Sequence, residues 1–237
     1  MRWWICGSVC GALVTLVGCQ LLAGFSSEAA ADQRVDVGDA AIADDADLGH
    51  EDGSDGTLPG AHVWSSGLGH AGGVNNVAVA VDGSGNTYVA GSFKGTVDLA
   101  GGPLTSAGWY DVFVASYDAG GVHRWSMRFG GALNESAKGI AVGAEGAIYV
   151  AGAFSGTINL GGGDLGPAGH GVFLGSYGPA GAPRWARRFG HTADDWANDV
   201  ATDGALVVLA GNLSEHVDFG GGPIPGAQTG FVAAFRR

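Results

Sequence analysis

Apolar and polar positions alternate in short bursts along residues 61–237. Val77, Val79 and Val81 recur at every second position with alanine between them, the period-two mark of a half-buried strand. Asp82-Gly83-Ser84-Gly85-Asn86 is turn chemistry and leads into the β-rich Thr87-Tyr88-Val89. Phe113–Tyr117 reads as a third strand. Asp118-Ala119-Gly120-Gly121 turns the chain into a fourth, centred on Trp125. No window sustains a 3.6-residue apolar period, so helices are expected to be negligible.

The pattern is copied. Trp64, Trp125 and Trp185 recur in one register with Gly91, Gly152 and Gly211. Tyr88-Val89-Ala90-Gly91 returns as Tyr149-Val150-Ala151-Gly152 and more loosely as Val208-Leu209-Ala210-Gly211, and Phe113 returns as Phe173 and Phe231. Several landmarks in one register define tandem units, about 64–124, 125–184 and 185–237. The expected fold is all-β: three tandem four-stranded antiparallel β-propeller-like blades. The Trp64 strand is fourth in its unit and the Phe231 strand third, so the first strand is placed to complete the last blade and remove an open edge. Propellers typically close with about four to eight blades. Three units therefore leave three arrangements: two chains pairing into a six-bladed ring, an open or wide-angled assembly, or a fragment of a longer chain. The phase of the strands favours a compact three-unit monomer with interlocked ends. Glycine is abundant, with 46 residues. The Ala-Gly pairs after the second strand are expected to let neighbouring sheets approach closely.

Gly130-Gly131, Ser136-Ala137, Ile140-Ala141-Val142 and Ile148-Tyr149-Val150-Ala151-Gly152, followed by Phe154, resemble the seven-bladed-propeller-type (SBBP) repeats of exported bacterial proteins. The first unit keeps Val79-Ala80-Val81-Asp82 and Gly85-Asn86. The third keeps Asp195, Ala197 and Val200-Ala201 but loses the Asn turn. The resemblance spans residues 61–237, implies an exported propeller, and carries no catalytic residues over.

The remaining residues change the picture of location. Met1-Arg2 followed by an apolar run from Ile5 to Val17 has the dimensions of a signal-peptide core and is too short for a membrane span. Leu16-Val17-Gly18-Cys19 resembles the lipobox of bacterial lipoproteins. The resemblance implies that residues 1–18 are a signal peptide and that the Cys19 thiol takes diacylglycerol, with acylation of the new N-terminus. The lipid anchor at Cys19 would hold the chain to a membrane of the bacterial envelope, the outer membrane on its periplasmic or surface side. Residues 19–60 read as an acidic, disordered tether. Ten Asp or Glu stand there against Arg34 alone, so most of the net charge of −12 is local. Asp45, Asp47, Glu51, Asp52 and Asp55 fail the EF-hand spacing. The mildly acidic repeat region offers no basic face to nucleic acid. All three cysteines, Cys6, Cys10 and Cys19, precede it, which leaves it without a disulfide or thiolate metal site.

Chemistry is sparse. There is no nucleophile elbow, zinc-protease or phosphate-loop motif. Gly67-Leu68-Gly69-His70-Ala71-Gly72 precedes a strand, so it lacks the helix N-terminus that a pyrophosphate needs. The histidines are scattered, and no metal site, cofactor or catalytic residue is expected. Trp109 and Tyr110 lie in a variable loop, where exposed aromatics suit a protein or glycan contact. Asp194, Asp195 and Trp196 form the tightest acidic-aromatic group, readable as a ligand contact or as turn capping at a strand entry. Arg124, Arg128, Arg184, Arg187 and Arg188 flank the tryptophan strands and suit edge protection and indole stacking. The leading expectation is a non-catalytic, lipid-anchored envelope protein that binds protein or glycan or serves as a scaffold. An envelope glycan lyase or hydrolase would need convergent carboxylates or a His-Tyr-Arg group. A purely structural component would bind nothing soluble.

Overall fold

The computed structural model describes residues 59–69, 73–190, 195–214, 216–225 and 229–237, all within the unit Gly53–Arg237. The expected signal peptide, Cys19, almost all of the expected tether and Asp194 lie outside the described residues.

The described chain is all-β. The first sheet takes β1 (Gly73–Val81), β2 (Thr87–Lys94), β5 (Asp111–Tyr117) and β6 (His123–Phe129), in that order, all antiparallel. Between its middle strands the chain makes a small ribbon of β3 (Thr96–Asp98) and β4 (Pro103–Thr105). The second sheet repeats the meander with β7 (Glu135–Val142), β8 (Ile148–Asn159), β9 (Asp164–Tyr177) and β10 (Pro183–Phe189). Here the ribbon is absorbed into the long middle pair, with Ile158 opposite Leu165. The third sheet has three strands, β11 (Trp196–Thr202), β12 (Leu206–Leu213) and β15 (Thr229–Arg236), with β13 (Val217–Asp218) and β14 (Pro223–Ile224) as its ribbon. The helical content among the described residues is one 3-10 turn at Ala144–Gly146.

Aspartates close the turns. Asp82 accepts the N–H groups of Ser84 and Asn86 at 2.9 and 3.0 Å and the Tyr88 hydroxyl at 3.0 Å. Asp118, Asp203 and Asp218 each accept two backbone N–H groups in the same manner. A short carboxylate that bonds the backbone two to four residues on is the Asx-turn device. It spreads most of the acidic residues around the hairpin ends.

The sheets pack face to face. Tyr88, Ala90, Val112 and Val114 of the first sheet meet Ile140, Val150, Phe154 and Phe173 of the second. The second sheet's other face, with Tyr149, Ala151, Val172 and Leu174, meets Leu209, Leu213, Phe231 and Phe235 of the third. β7 is flanked by β1 on one side and β11 on the other. The tryptophans repeat their setting: Trp125 lies 6.2 Å from Tyr88 and Trp185 lies 6.1 Å from Tyr149, at nearly equal tilts.

The structure corrects two expectations and completes a third. First, residues 61–69 form no strand and do not complete the third sheet; Trp64 instead rests on Tyr117 and Gly121 of the first. The third sheet keeps three strands, and the ends do not interlock within the described residues. Second, Val77, Val79 and Val81 lie on a half-buried strand as read, and the structure adds its direction: they point outward, 51–62% exposed, while Ala78 and Ala80 pack inward. Among the described residues, another sheet covers this strand on its alanine side, while Leu68 packs beside Val74 on the valine side. Third, Gly91, Gly152 and Gly211 face the adjacent strand of their own sheet. A Cβ on Gly152 or Gly211 would collide with the carbonyl oxygen of Ser136 or Trp196, and one on Gly91 would lie 2.7 Å from the Phe113 ring. The tight approach between sheets falls at Gly139, where a Cβ would stand 2.7 Å from the Val200 nitrogen.

Candidate functional site

Those glycines accommodate a β-bulge at one place in every sheet. Asn76 and Val77 together oppose Gly91, Lys138 is the extra residue opposite Gly152, and Asn198 is the extra residue opposite Gly211. A bulge bends its strand and re-aims the side chains beside it. Asn76 takes φ 52°, a left-handed conformation that asparagine tolerates. The bulges turn the starts of β1, β7 and β11 toward a common cavity of about 470 Å³. This lies in the range of small-molecule sites.

The lining comes from all three sheets. β1 and β2 supply Asn75, Asn76 and Ser92; β7, β8 and β9 supply Glu135, Ser136, Lys138, Phe154, Ser155 and His170; β11 supplies Trp196. Tyr110 enters from the loop before β5. The polar groups bond one another. The Asn76 amide donates to the Ser136 hydroxyl at 3.0 Å and to the Ser92 hydroxyl at 3.4 Å. The Ser155 hydroxyl and His170 Nδ1 are 3.1 Å apart. The Lys138 ammonium stands 4.5 Å over the Trp196 ring and donates to Asn198 at 3.5 Å.

The aromatic loop is tied down. Asp111 is fully buried, pairs with Arg128, and accepts the N–H groups of Ala107 and Gly108 at 3.0 and 3.4 Å. Trp109 N–H donates to the Leu133 carbonyl, and Glu135 N–H donates to the Tyr110 carbonyl at 2.8 Å. The loop of the first sheet is thereby sewn to the strand entry of the second, which holds Tyr110 at the cavity.

Beneath it sits Glu135, fully buried. One carboxylate oxygen accepts the Gly131 N–H at 2.9 Å, and the other has no hydrogen-bond partner. Burial pushes this carboxyl from 4.5 up to about 7; the nearby Asp111 charge adds to the rise, while the Gly131 bond and Arg128 oppose it.

Of the residues singled out from sequence, the structure brings Tyr110 and Trp196 to one cavity. Trp109 stands outside it, 61% exposed, with the Lys94 ammonium 4.1 Å over its ring. Asp195 is buried and accepts the Ser214 N–H at 2.9 Å, so it ties the start of β11 to the end of β12, and it does not line the cavity. Among the arginines, Arg187 stacks on Trp185 at 5.8 Å, Arg128 pairs with Asp111, and Arg124 donates to Ser116 and Tyr88. Sequence reasoning missed Glu135, His170, Ser155 and Lys138. Glu135 and Lys138 stand in the same repeat positions as Asp195 and Asn198, and that alignment was the available signal. No group of three His, Cys, Asp or Glu among the described residues converges as a metal site.

No family model matches the chain. It is similar to the regulatory protein FlaEY of Caulobacter vibrioides, 27% identical over 155 residues. The match covers 62% of this chain but 16% of that protein, so the chain corresponds to a small part of the relative's length.

Proposed function

We propose that this chain is an exported envelope protein, lipid-anchored at Cys19, whose SBBP-type propeller-like sheets present a glycan-binding cavity without catalysis. The observation that carries the binding reading is the cavity's lining. Tyr110 and Trp196 offer flat apolar faces, while Asn75, Asn76, Ser92, Ser136 and Ser155 offer amides and hydroxyls. Polyhydroxylated ligands are recognised by this combination, because a site built to bond hydroxyls penalises ligands that lack them. The lipobox at Leu16–Cys19 supports the location.

Glycan-array binding by the full chain tests it. Trp196→Ala is expected to weaken binding at least about tenfold, the loss of one aromatic contact. Trp109→Ala, outside the cavity, is expected to leave it unchanged. Equal loss in both variants, or no binding to any glycan, sinks the reading and favours a purely structural component. Metabolic labelling with a fatty acid, compared between the wild type and Cys19→Ser, tests the anchor.

One observation favours a second reading, an envelope glycan lyase or hydrolase. Glu135, with its raised carboxyl pKa, and the Ser155–His170 pair line the same cavity. A general acid held near neutrality is what such chemistry uses. Turnover of a bound glycan that Glu135→Gln abolishes without loss of binding would establish it over the first reading.

A further inference from the structure

Among the described residues, the first and third sheets each leave one face open, and the two faces match. In β15, Phe231, Ala233 and Phe235 are buried, while Val232 on the other face is 70% exposed. The equivalent Val114 and Leu174, one and two sheets back, are fully buried by the next sheet. At the opposite end, Val79 is 62% exposed, while the equivalent Ile140 and Val200 are buried by the preceding sheet. Each of these two faces is thus of a kind that the molecule covers twice with its own sheets.

The edges match as well. β15 has no strand on its outer side among the described residues, where β5 has β6 and β9 has β10. Residues 61–69 carry the His-Val-Trp-Ser version of the β6 sequence His-Arg-Trp-Ser and join no sheet. Yet Trp64 is already placed like a fourth-strand tryptophan. Trp125 of the first sheet reaches across to the second, bonding the Pro179 carbonyl at 3.0 Å and resting on Gly181. Trp64 rests in the same way on Gly121, in the equivalent turn of the first sheet. It stands where the fourth strand of a preceding sheet belongs.

We propose that a second copy of this chain supplies that sheet. Residues 61–69 of each protomer add to β15 of the other as its fourth strand, and the Val232 face of one seats on the Val79 side of the other. The exchange is reciprocal, so the same two surfaces meet twice about a two-fold axis and no edge is left over. The register follows from the existing pairs. Trp125 stands opposite Ser116 and Met127 opposite Val114; likewise Trp185 stands opposite Ser176 and Arg187 opposite Leu174. Trp64 then faces Ala234 of the other copy, and Ser66 faces Val232.

The test uses the full chain with Cys6, Cys10 and Cys19 replaced by serine. Sedimentation equilibrium is expected to give two chain masses. Val232→Lys, a change at an exposed position, is expected to weaken the association by at least about tenfold without lowering the monomer's stability. Ser66→Cys with Val232→Cys is expected to yield a disulfide-linked dimer on mild oxidation, and neither single variant is expected to do so through this pair. A single chain mass at every concentration overturns the proposal, as does an open-ended ladder of oligomers. So does a Ser66→Cys/Val232→Cys bridge formed within one chain, which would mean that each protomer completes its own third sheet.

Discussion

Two buried tyrosines at one repeat position differ in a single bond. Tyr117 donates to the Leu99 carbonyl at 3.1 Å, while the Tyr177 hydroxyl is buried without a partner. A satisfied hydroxyl contributes about 1 kcal/mol, whereas an orphaned one carries its desolvation cost uncompensated. Tyr117→Phe is therefore expected to cost about 1 kcal/mol, and Tyr177→Phe to be neutral or to stabilise by up to ~1 kcal/mol, as read by urea denaturation. Glu135 gives the pH dependence. Its carboxyl sits at about 7 when folded, against 4.5 ordinarily. The unfolded chain therefore releases this proton first. Stability from this group is full below about pH 4.5 and is lost as pH rises through 7. Relative to wild type, Glu135→Gln is expected to gain about 2 kcal/mol between pH 4.5 and 8, the shift discounted for solvent screening. A difference that stays flat with pH would place the carboxyl at its ordinary value.

At the level of elements, the bulge is the unit that turns a repeat into a site. Gly152 exists so that the Ser136 carbonyl can pass. Gly152→Ala is expected to destabilise by about 3 kcal/mol and to abolish binding at the cavity, since the shift would be passed to Ser136 and Lys138. Gly83→Ala, with open space around its Cβ, is expected to be within about 0.5 kcal/mol of wild type. The hairpins, their turns and the recurring glycines were legible in the sequence, because alternation and Asp/Gly/Asn turn chemistry are local signals. The direction each glycine faces was not, since it depends on which backbone passes nearby. Which face of Val77, Val79 and Val81 is covered was open in the sequence for a related reason. Alternation says that a strand has two faces, and only the neighbouring sheet says which one is covered. Of the candidate residues, Tyr110 and Trp196 were found as aromatics in loops and strand entries. Glu135 and His170 escaped because they are 35 residues apart and reach one cavity only through the pairing of β7, β8 and β9.

At the scale of the whole molecule, the position of a sheet in the stack decides what its residues contribute. Val114, Leu174 and Val232 are the same residue of the repeat, but the first two are fully buried and the third is mostly exposed. In dilute protein, Val114→Ala and Leu174→Ala are expected to cost roughly 2–4 kcal/mol, and Val232→Ala less than about 0.5 kcal/mol. Equal costs at the three sites would mean that the third sheet is covered even at low concentration. The stack also assigns roles to the two ends. The fold meets residues 59–69 first, and these carry no ladder of hydrogen bonds; they are held by the side chain of Trp64 on Tyr117 and Gly121 and by Leu68 against the first sheet. Mechanically this stretch is a shock absorber. A pull applied at Gly60 peels one indole from a glycine and draws the stretch from Gly60 to Gly69 out to at most roughly 30 Å, at about 3.3–3.6 Å per residue. A partner strand laid along the same residues would remove that slack and pass the force directly into a second set of sheets.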